Sequence, residues 1–419
     1  MKVVHLSTYD YRGGAAIVCR RLVKALRDQN IEATMLVMES KSGLPFVQQT
    51  TSSRLKHAYN LARLAWEKFV FLFHQKDGSV RFQFSAGNTG EALARHPLLK
   101  EADIIHLHWI NHGFLSIKGI GEIFQTGKPV VWTLHDMWPF TGGCHHSGEC
   151  EQYKNECGQC PFMKHPAPDD LSFAILQQKK EQWGKFPVAL IACSKWLEEK
   201  IKKSALFKDR PVHTIANPID TSLFSPKEKK ELKRRKGFDP EKFHILFGAE
   251  NIKNYHKGVS FFIEAIQHLK NREGKNIEII LFGKHAEDIV PSLPFVTYIQ
   301  GTIKDEKQMA DLYALSDVYV TSSIQENLPT TIMESFSCGT PVVAFHTGGI
   351  PEMITHLQDG YVASYRSSED LARGIYTMLY EKDPVLAGTK ARQKALSSYK
   401  ESLIARQYIQ VYRQLLSNK

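Results

Sequence analysis

Apolar positions along this chain follow two alternating rhythms. Short β-branched runs read as strands buried on both faces. Stretches with apolar residues three and four apart read as helices lying over those strands. A strand is predicted at residues 3–6, then a glycine turn through Gly13 and Gly14, then a helix over 17–27. Further strands are predicted at 102–109, 129–135 and 188–194. Residues 212–220 lead into a linker marked by Pro218 and Pro226. Beyond it come strands at 244–248, 277–283, 296–301, 318–320 and 341–345, with helices over 258–270, 305–315, 329–338 and 393–416. Such alternation implies α/β architecture, with parallel sheets and right-handed crossovers.

One amphipathic stretch stands apart. Over residues 54–73, Leu55, Tyr59, Ala62, Trp66, Phe69 and Phe73 share a helical face, with Arg54, Lys56, Arg63 and Lys68 off it. The pattern fits a helix packed on the domain core, with a helix lying in an anionic membrane interface as the alternative.

Length and charge narrow the class. The 419 residues suit two domains. No apolar run reaches the ~18 residues of a membrane span, and the first ten residues read as a strand and loop rather than a signal peptide. A cytoplasmic protein is expected, with peripheral contact at the inner membrane face as the further possibility. The net charge of +10 fits nucleic acid, anionic membrane or phosphorylated ligands. Part of it is the run 227–236, with seven basic and two acidic residues, which reads as a solvated helix or loop. No nucleic-acid-binding motif accompanies it, and no nucleic-acid partner is expected.

The candidate chemistry concentrates in residues 316–352, SDVYVTSSIQENLPTTIMESFSCGTPVVAFHTGGIPE. A strand, a polar loop and a helix follow one another, the arrangement in which ligands bind at strand carboxyl ends. Glu326 precedes the helix and Glu334 lies in its second turn. With Pro329 at the first helical position, Leu328 falls at the N-cap, where it has no oxygen to offer. The N–H groups of Thr330 and Thr331 then suit an anion. Carboxylates for sugar or ribose hydroxyls beside donors for phosphate suggest a nucleotide-sugar; two solvated glutamates on a surface helix are the plain alternative.

Cys144, Cys150, Cys157 and Cys160 fall within seventeen positions, the last two as C-x-x-C. The spacing allows a structural zinc site, with His145 and His146 as alternative ligands, or two disulfides, or free thiols. Cys19, Cys193 and Cys338 read as isolated core cysteines.

The ENLP…ME…CGTPVVAF.TGGIPEM pattern resembles the donor-site motif of the retaining glycosyltransferases of family 4. The resemblance implies a GT-B fold: two facing Rossmann-like domains with an interdomain active-site cleft, here 1–210 and 222–398, with the helix 400–419 crossing back onto the first and Asn217-Pro218 at the hinge. It implies that Glu326 contacts the transferred sugar and Glu334 the ribose. It also implies that Gly13 and Gly14 face the diphosphate and that His135 faces the reacting sugar and phosphate. Lys257 matches a diphosphate-binding lysine. Ile252 stands where an arginine is usual, leaving Lys253 as its substitute. Many members have Gly-Phe-Gly after the first glutamate; Asn327-Leu328-Pro329 here resembles a bacterial polysaccharide-biosynthesis branch. The expected activity is sugar transfer from a nucleotide-diphosphate donor to a glycan acceptor, one carried on a lipid, with no cofactor for catalysis. A non-catalytic scaffold or nucleotide-binding protein is the alternative. A phosphorylase would need a pyridoxal lysine, which nothing marks.

Overall fold

The computed structural model describes residues 1–270 and 276–417. These form two compact units, Met1–Ala216 with the chain from Ile404 onward, and Asn217–Leu403. Of the tail helix expected over 400–419, residues 418–419 lie outside the described residues.

The first unit holds seven strands: β1 (Lys2–Tyr9), β2 (Glu32–Glu39), β3 (Val47–Gln49), β4 (Ile104–Leu107), β5 (Val130–Leu134), β6 (Ala189–Ala192) and β7 (Val212–Thr214). They pair in parallel in the order β3-β2-β1-β4-β5-β6-β7. The order reverses between β1 and β4, which makes a crevice at their carboxyl ends. β4, β5 and β6 are buried along their whole length, as their largely apolar character demands. The helix from Ile404 packs on this unit through Tyr408 and Tyr412. Tyr412 Oη lies 2.7 Å from His106 Nδ1, and Tyr408 Oη 2.9 Å from Thr133 Oγ1.

The second unit holds β8 (Phe243–Asn251), β9 (Ile277–Lys284), β10 (Val296–Ile299), β11 (Val318–Thr321), β12 (Val342–Phe345) and β13 (Gly360–Ala363). Their parallel order, β10-β9-β8-β11-β12-β13, again reverses once, between β8 and β11. Both units therefore have the Rossmann-like pattern, and the two together make the GT-B type of fold.

Four strands go beyond the apolar rhythm: β2, β3, β7 and β13. β3 and β7 are three residues each and half exposed, so they carry little pattern. β13 begins at Gly360, whose Cβ would lie 2.2 Å from Val342 O, and glycine hid it. The expected helix over 393–416 is two, Pro384–Ser398 and Glu401–Ser417. The chain leaves helical geometry at Tyr399, φ −127°, which is buried in the second unit. Leu396 is accordingly exposed, not part of a continuous stripe.

The helix Arg54–Leu72 rests on the first unit by a largely polar face. Asn60, Arg63, Glu67 and Phe71 are buried; Arg63 pairs with Glu91 at 3.1 Å and Phe71 stacks on Phe84 at 4.4 Å. The aromatic stripe points to solvent instead: Leu55 is 85% exposed, Trp66 55% and Phe73 66%. That overturns the reading of the stripe as core. Arg63 and Lys68 are likewise not free flanking charges, since Lys68 Nζ donates to Phe84 O at 3.0 Å.

The basic run is a helix, Lys229–Arg235, with short flanks, and it is solvated only in part. Lys229 and Lys233 pair with Asp317, and Lys227 and Lys236 with Asp311. Most of its charge is neutralised within the second unit.

Candidate functional site

The strongest constellation sits where the second sheet reverses order. Three loops meet there, after β8, β11 and β12, and backbone contacts bind them. Ser322 Oγ donates to Lys257 O and Gly258 O at 3.0 and 2.8 Å. Ile324 N–H donates to His256 O at 2.8 Å, and Gly349 N–H to Asn327 O at 2.9 Å. Two glycines make the approach possible. A Cβ on Gly258, φ 60°, would lie 2.1 Å from Ser322 O, and one on Gly348, φ 54°, 1.7 Å from Glu326 O.

This packing brings Lys257 and Glu326 together, Nζ to Oε1 at 2.5 Å. Both side chains keep some exposure, so the pair stands at a surface a ligand can reach. Lys253 goes elsewhere: it is 60% exposed and pairs with Asp288 at 2.7 Å. Ile252 beside it is buried in the core.

The helix after β11 spans Thr330–Ser337, one residue shorter at its start than expected. Pro329 is the N-cap rather than the first helical residue, because its ψ of 125° is extended. The consequence for the helix end is unchanged. Proline offers no side-chain acceptor, no side chain caps the helix, and Thr330 and Thr331 open its first turn. Leu328 packs inward, its carbonyl accepting from Asn217 Nδ2 at 3.1 Å. Glu334 is 7% exposed. It lies beside Tyr313 and Tyr319, whose phenols burial pushes far above their usual range, with the Glu334 carboxylate adding to the effect.

In the first unit, Gly13 takes φ 80° and caps the helix Gly14–Arg27 without a side chain. Gly14 has open space around it. Both sit after β1, at that sheet's own reversal.

His135 follows β5 and heads a ladder of histidines. Its Nε2 lies 3.2 Å from His108 Nδ1, and His108 Nε2 lies 3.0 Å from His5 Nδ1. His5 Nε2 is buried with no hydrogen-bond partner. A bare lone pair there costs less than an unpaired N–H. The protons therefore run from His5 toward His135, making His135 Nε2 an acceptor. Its Nδ1 faces Cys193 Sγ at 3.9 Å. Burial pushes His135 down to about 4, so the ring is neutral at pH 7. Next to it, Asp136 accepts from His145 Nδ1, Trp109 Nε1 and Trp138 N–H at 2.7, 2.9 and 2.9 Å. His145 also reaches Ser85 Oγ at 3.0 Å. It is thus engaged with Asp136 and Ser85, not poised as a metal ligand.

Cys144, Cys150, Cys157 and Cys160 are not joined to one another by disulfides and line a common cavity. Cys19, Cys193 and Cys338 are buried, as expected.

Two family models cover most of the chain. "Glycosyltransferase Family 4" matches residues 12–223, and "Glycosyl transferases group 1" matches 242–381. The chain belongs to glycosyltransferase family 4. It is 24% identical over 406 residues to a D-inositol 3-phosphate glycosyltransferase of Pseudarthrobacter chlorophenolicus, covering 92% of this chain and 86% of that one. It is 22% identical over 428 residues to the putative colanic acid biosynthesis glycosyl transferase WcaC of Escherichia coli K12, covering 99% and 100%. Over 200 residues, 47% of this chain and 51% of the other, it is 28% identical to the N,N'-diacetylbacillosaminyl-diphospho-undecaprenol alpha-1,3-N-acetylgalactosaminyltransferase of Campylobacter jejuni. Among solved structures, Anabaena Alr3699/HepE in complex with UDP-glucose superposes with TM-score 0.65 at 17% identity, covering 100% of both chains. That likeness is one of fold.

Sequence reasoning singled out Lys257 and Glu326, which the structure pairs, but missed the steric part of Gly348 and Gly258. It also missed His5, which looks like any residue of a buried strand.

The histidine ladder makes a pH prediction. His135 titrates near 4 when folded and near ~6.5 when unfolded, so between those values the unfolded chain binds the extra proton. Stability is full above pH ~6.5 and falls as pH drops toward 4, by about 3 kcal/mol from His135 alone. His5, held down to about 3 by burial, adds to the loss. Asp136, held near 2 because its charge interaction with His145 and its hydrogen bonds outweigh its burial, contributes only below pH ~4. Thermal melts from pH 7.5 to 4.5 should show a falling Tm from pH ~6.5 downward. A flat Tm across that range would contradict the buried neutral ladder.

Proposed function

We propose that this glycosyltransferase moves a sugar, with retention, from a nucleotide-diphosphate donor to a glycan acceptor carried on a lipid, working at an anionic membrane surface in the cytoplasm. The observation that carries the donor half is the Lys257–Glu326 pair beside an uncapped helix start, at the order reversal of a Rossmann-like sheet. In this reading Glu334 accepts from the ribose hydroxyls. Lys257 and the N–H groups of Thr330 and Thr331 bind the diphosphate, and Glu326 contacts the sugar. Gly13 and Gly14 offer backbone donors to the same diphosphate. Lys253 joins them only by leaving Asp288.

The transfer forms a bond from an acceptor hydroxyl oxygen to the anomeric carbon and breaks that carbon's bond to the diphosphate. The acceptor's proton passes to the departing phosphate oxygen, on the same face. Cationic and N–H donors stabilise the charge that grows there. To donate to the phosphate from Nε2, His135 would take up its other tautomer and give up its bond to His108.

Two kinds of support favour a lipid-borne acceptor. The Campylobacter relative's name includes a diphospho-undecaprenol. The helix Arg54–Leu72 exposes a row of aromatic and aliphatic side chains, continued by Phe82, beside exposed Arg54 and Lys76 on a chain of net charge +10. No described helix is long and apolar enough to cross a membrane. Lying in an interface suits such a face: apolar burial and roughly 1 kcal/mol per nearby cation act together.

A thermal-shift panel of nucleotide-sugars, UDP-glucose first, should identify the donor. Glu334→Gln should then weaken that donor by about 1–3 kcal/mol. Unchanged affinity in the folded variant removes Glu334 from the site. Separately, the protein should bind anionic vesicles at low salt and release as salt rises. Trp66→Ser with Phe69→Ser should abolish that binding while leaving donor hydrolysis intact. Wild-type protein that ignores anionic vesicles at low salt would point to a soluble acceptor.

A further inference from the structure

The donor reading leaves the loop of residues 141–170 without a task, and this loop holds the densest cysteine chemistry in the chain. Its four cysteines are spread over seventeen positions, yet all line one cavity of about 20 Å³, enough for one water-sized occupant. Backbone donors already serve the sulfurs. Gly142 N–H donates to Cys157 Sγ at 3.2 Å, and Phe162 N–H faces Cys160. Such N–H to sulfur bonds are the outer support that thiolate ligands use.

The C-x-x-C turn holds its sulfurs at a conformational cost. Cys157, Gly158 and Gln159 take φ of 59°, 83° and 49°, left-handed for three residues in succession. A Cβ on Gly158 would lie 2.2 Å from Pro168 O, so the turn is also pressed against the far end of its own loop.

Charge supplies an independent indication. Lys179 is fully buried under this loop. Its ammonium donates to Thr141 O at 2.9 Å and also to Trp138 O, and lies over the Trp138 ring at 3.8 Å. Among the described residues it forms no ion pair with a carboxylate; the acidic groups it faces are Cys157, Cys144 and Asp136. A buried cation with no carboxylate in direct contact is costly. Four thiolates around one divalent ion carry a net charge of −2, half of which the lysine would offset.

We propose that Cys144, Cys150, Cys157 and Cys160 bind one zinc ion in a closed, structural site. Binding replaces four S–H bonds by four Zn–S bonds and releases four protons. The only described group whose ligand atoms already lie within 4.8 Å of one another is His5, Cys19 and His108, and there the two imidazoles bond each other within the ladder. The four cysteine sulfurs ring their cavity more widely, so the ion draws the loop inward.

The staple acts on two neighbours. Cys144 forms a β-bridge with Phe84, and Met163 with Gln75, so the loop grips the chain that follows the aromatic helix. Through His145 it also reaches Asp136, next to His135.

The test uses the whole protein, purified reduced and without chelators. Elemental analysis should find about one zinc per chain. Cys157→Ser with Cys160→Ser should lower that at least tenfold, while Cys338→Ala keeps it. Because the double variant can fail to fold, wild-type protein is also stripped with a chelator. Stripping should lower Tm and raise hydrogen exchange across 141–170, and zinc alone should reverse both. Wild-type protein without metal and with four reactive thiols, or with two disulfides, overturns the proposal. So does iron in place of zinc, or zinc retained in the double variant.

Discussion

Everything where the second sheet reverses order depends on backbone meeting backbone at two points that tolerate no Cβ. Gly258 lies against Ser322 O, and Gly348 against Glu326 O. These contacts let three loops close over the end of one sheet. Only then can a lysine after β8 reach a glutamate after β11. The sheet order does the rest, since the reversal between β8 and β11 opens the crevice in which the pair stands. Glycine at both positions also satisfies the left-handed φ that each turn requires.

The first unit inverts the usual arrangement of an amphipathic helix. Its helix Arg54–Leu72 is held by Asn60, Arg63 and Glu67, with Phe71 alone supplying a large apolar contact to the core. Polar groups so buried need partners: Asn60 donates to Thr51 and Arg63 pairs with Glu91. Turning the aromatic row outward has no benefit to the fold, because exposed apolar area opposes solubility. That cost is the physical reason to look for a surface that covers it.

Much of this was legible in the sequence. The buried strands announce themselves by largely apolar runs, and the same stretch of sequence drew attention to Glu326 and to Lys257 upstream, which the structure pairs. What stayed hidden has specific causes. β3 and β7 are too short and exposed to show a period. Periodicity assigned residues 54–73 to one face but could not say which face the unit holds. The pairing of Lys253 with Asp288, and of the basic run with Asp311 and Asp317, joins residues far apart in the chain. The histidine ladder is invisible for the same reason: His5 in β1 and His108 and His135 just past β4 and β5 are brought side by side only by the sheet order.

The central claim is that the loops after β8, β11 and β12 of this family 4 chain together form the nucleotide site. Hydrogen exchange with and without the nucleoside diphosphate of the preferred donor tests it without any mutation. Protection is predicted in residues 252–258, 322–331 and 347–350 together. Saturating nucleotide that leaves all three segments unchanged would contradict the account.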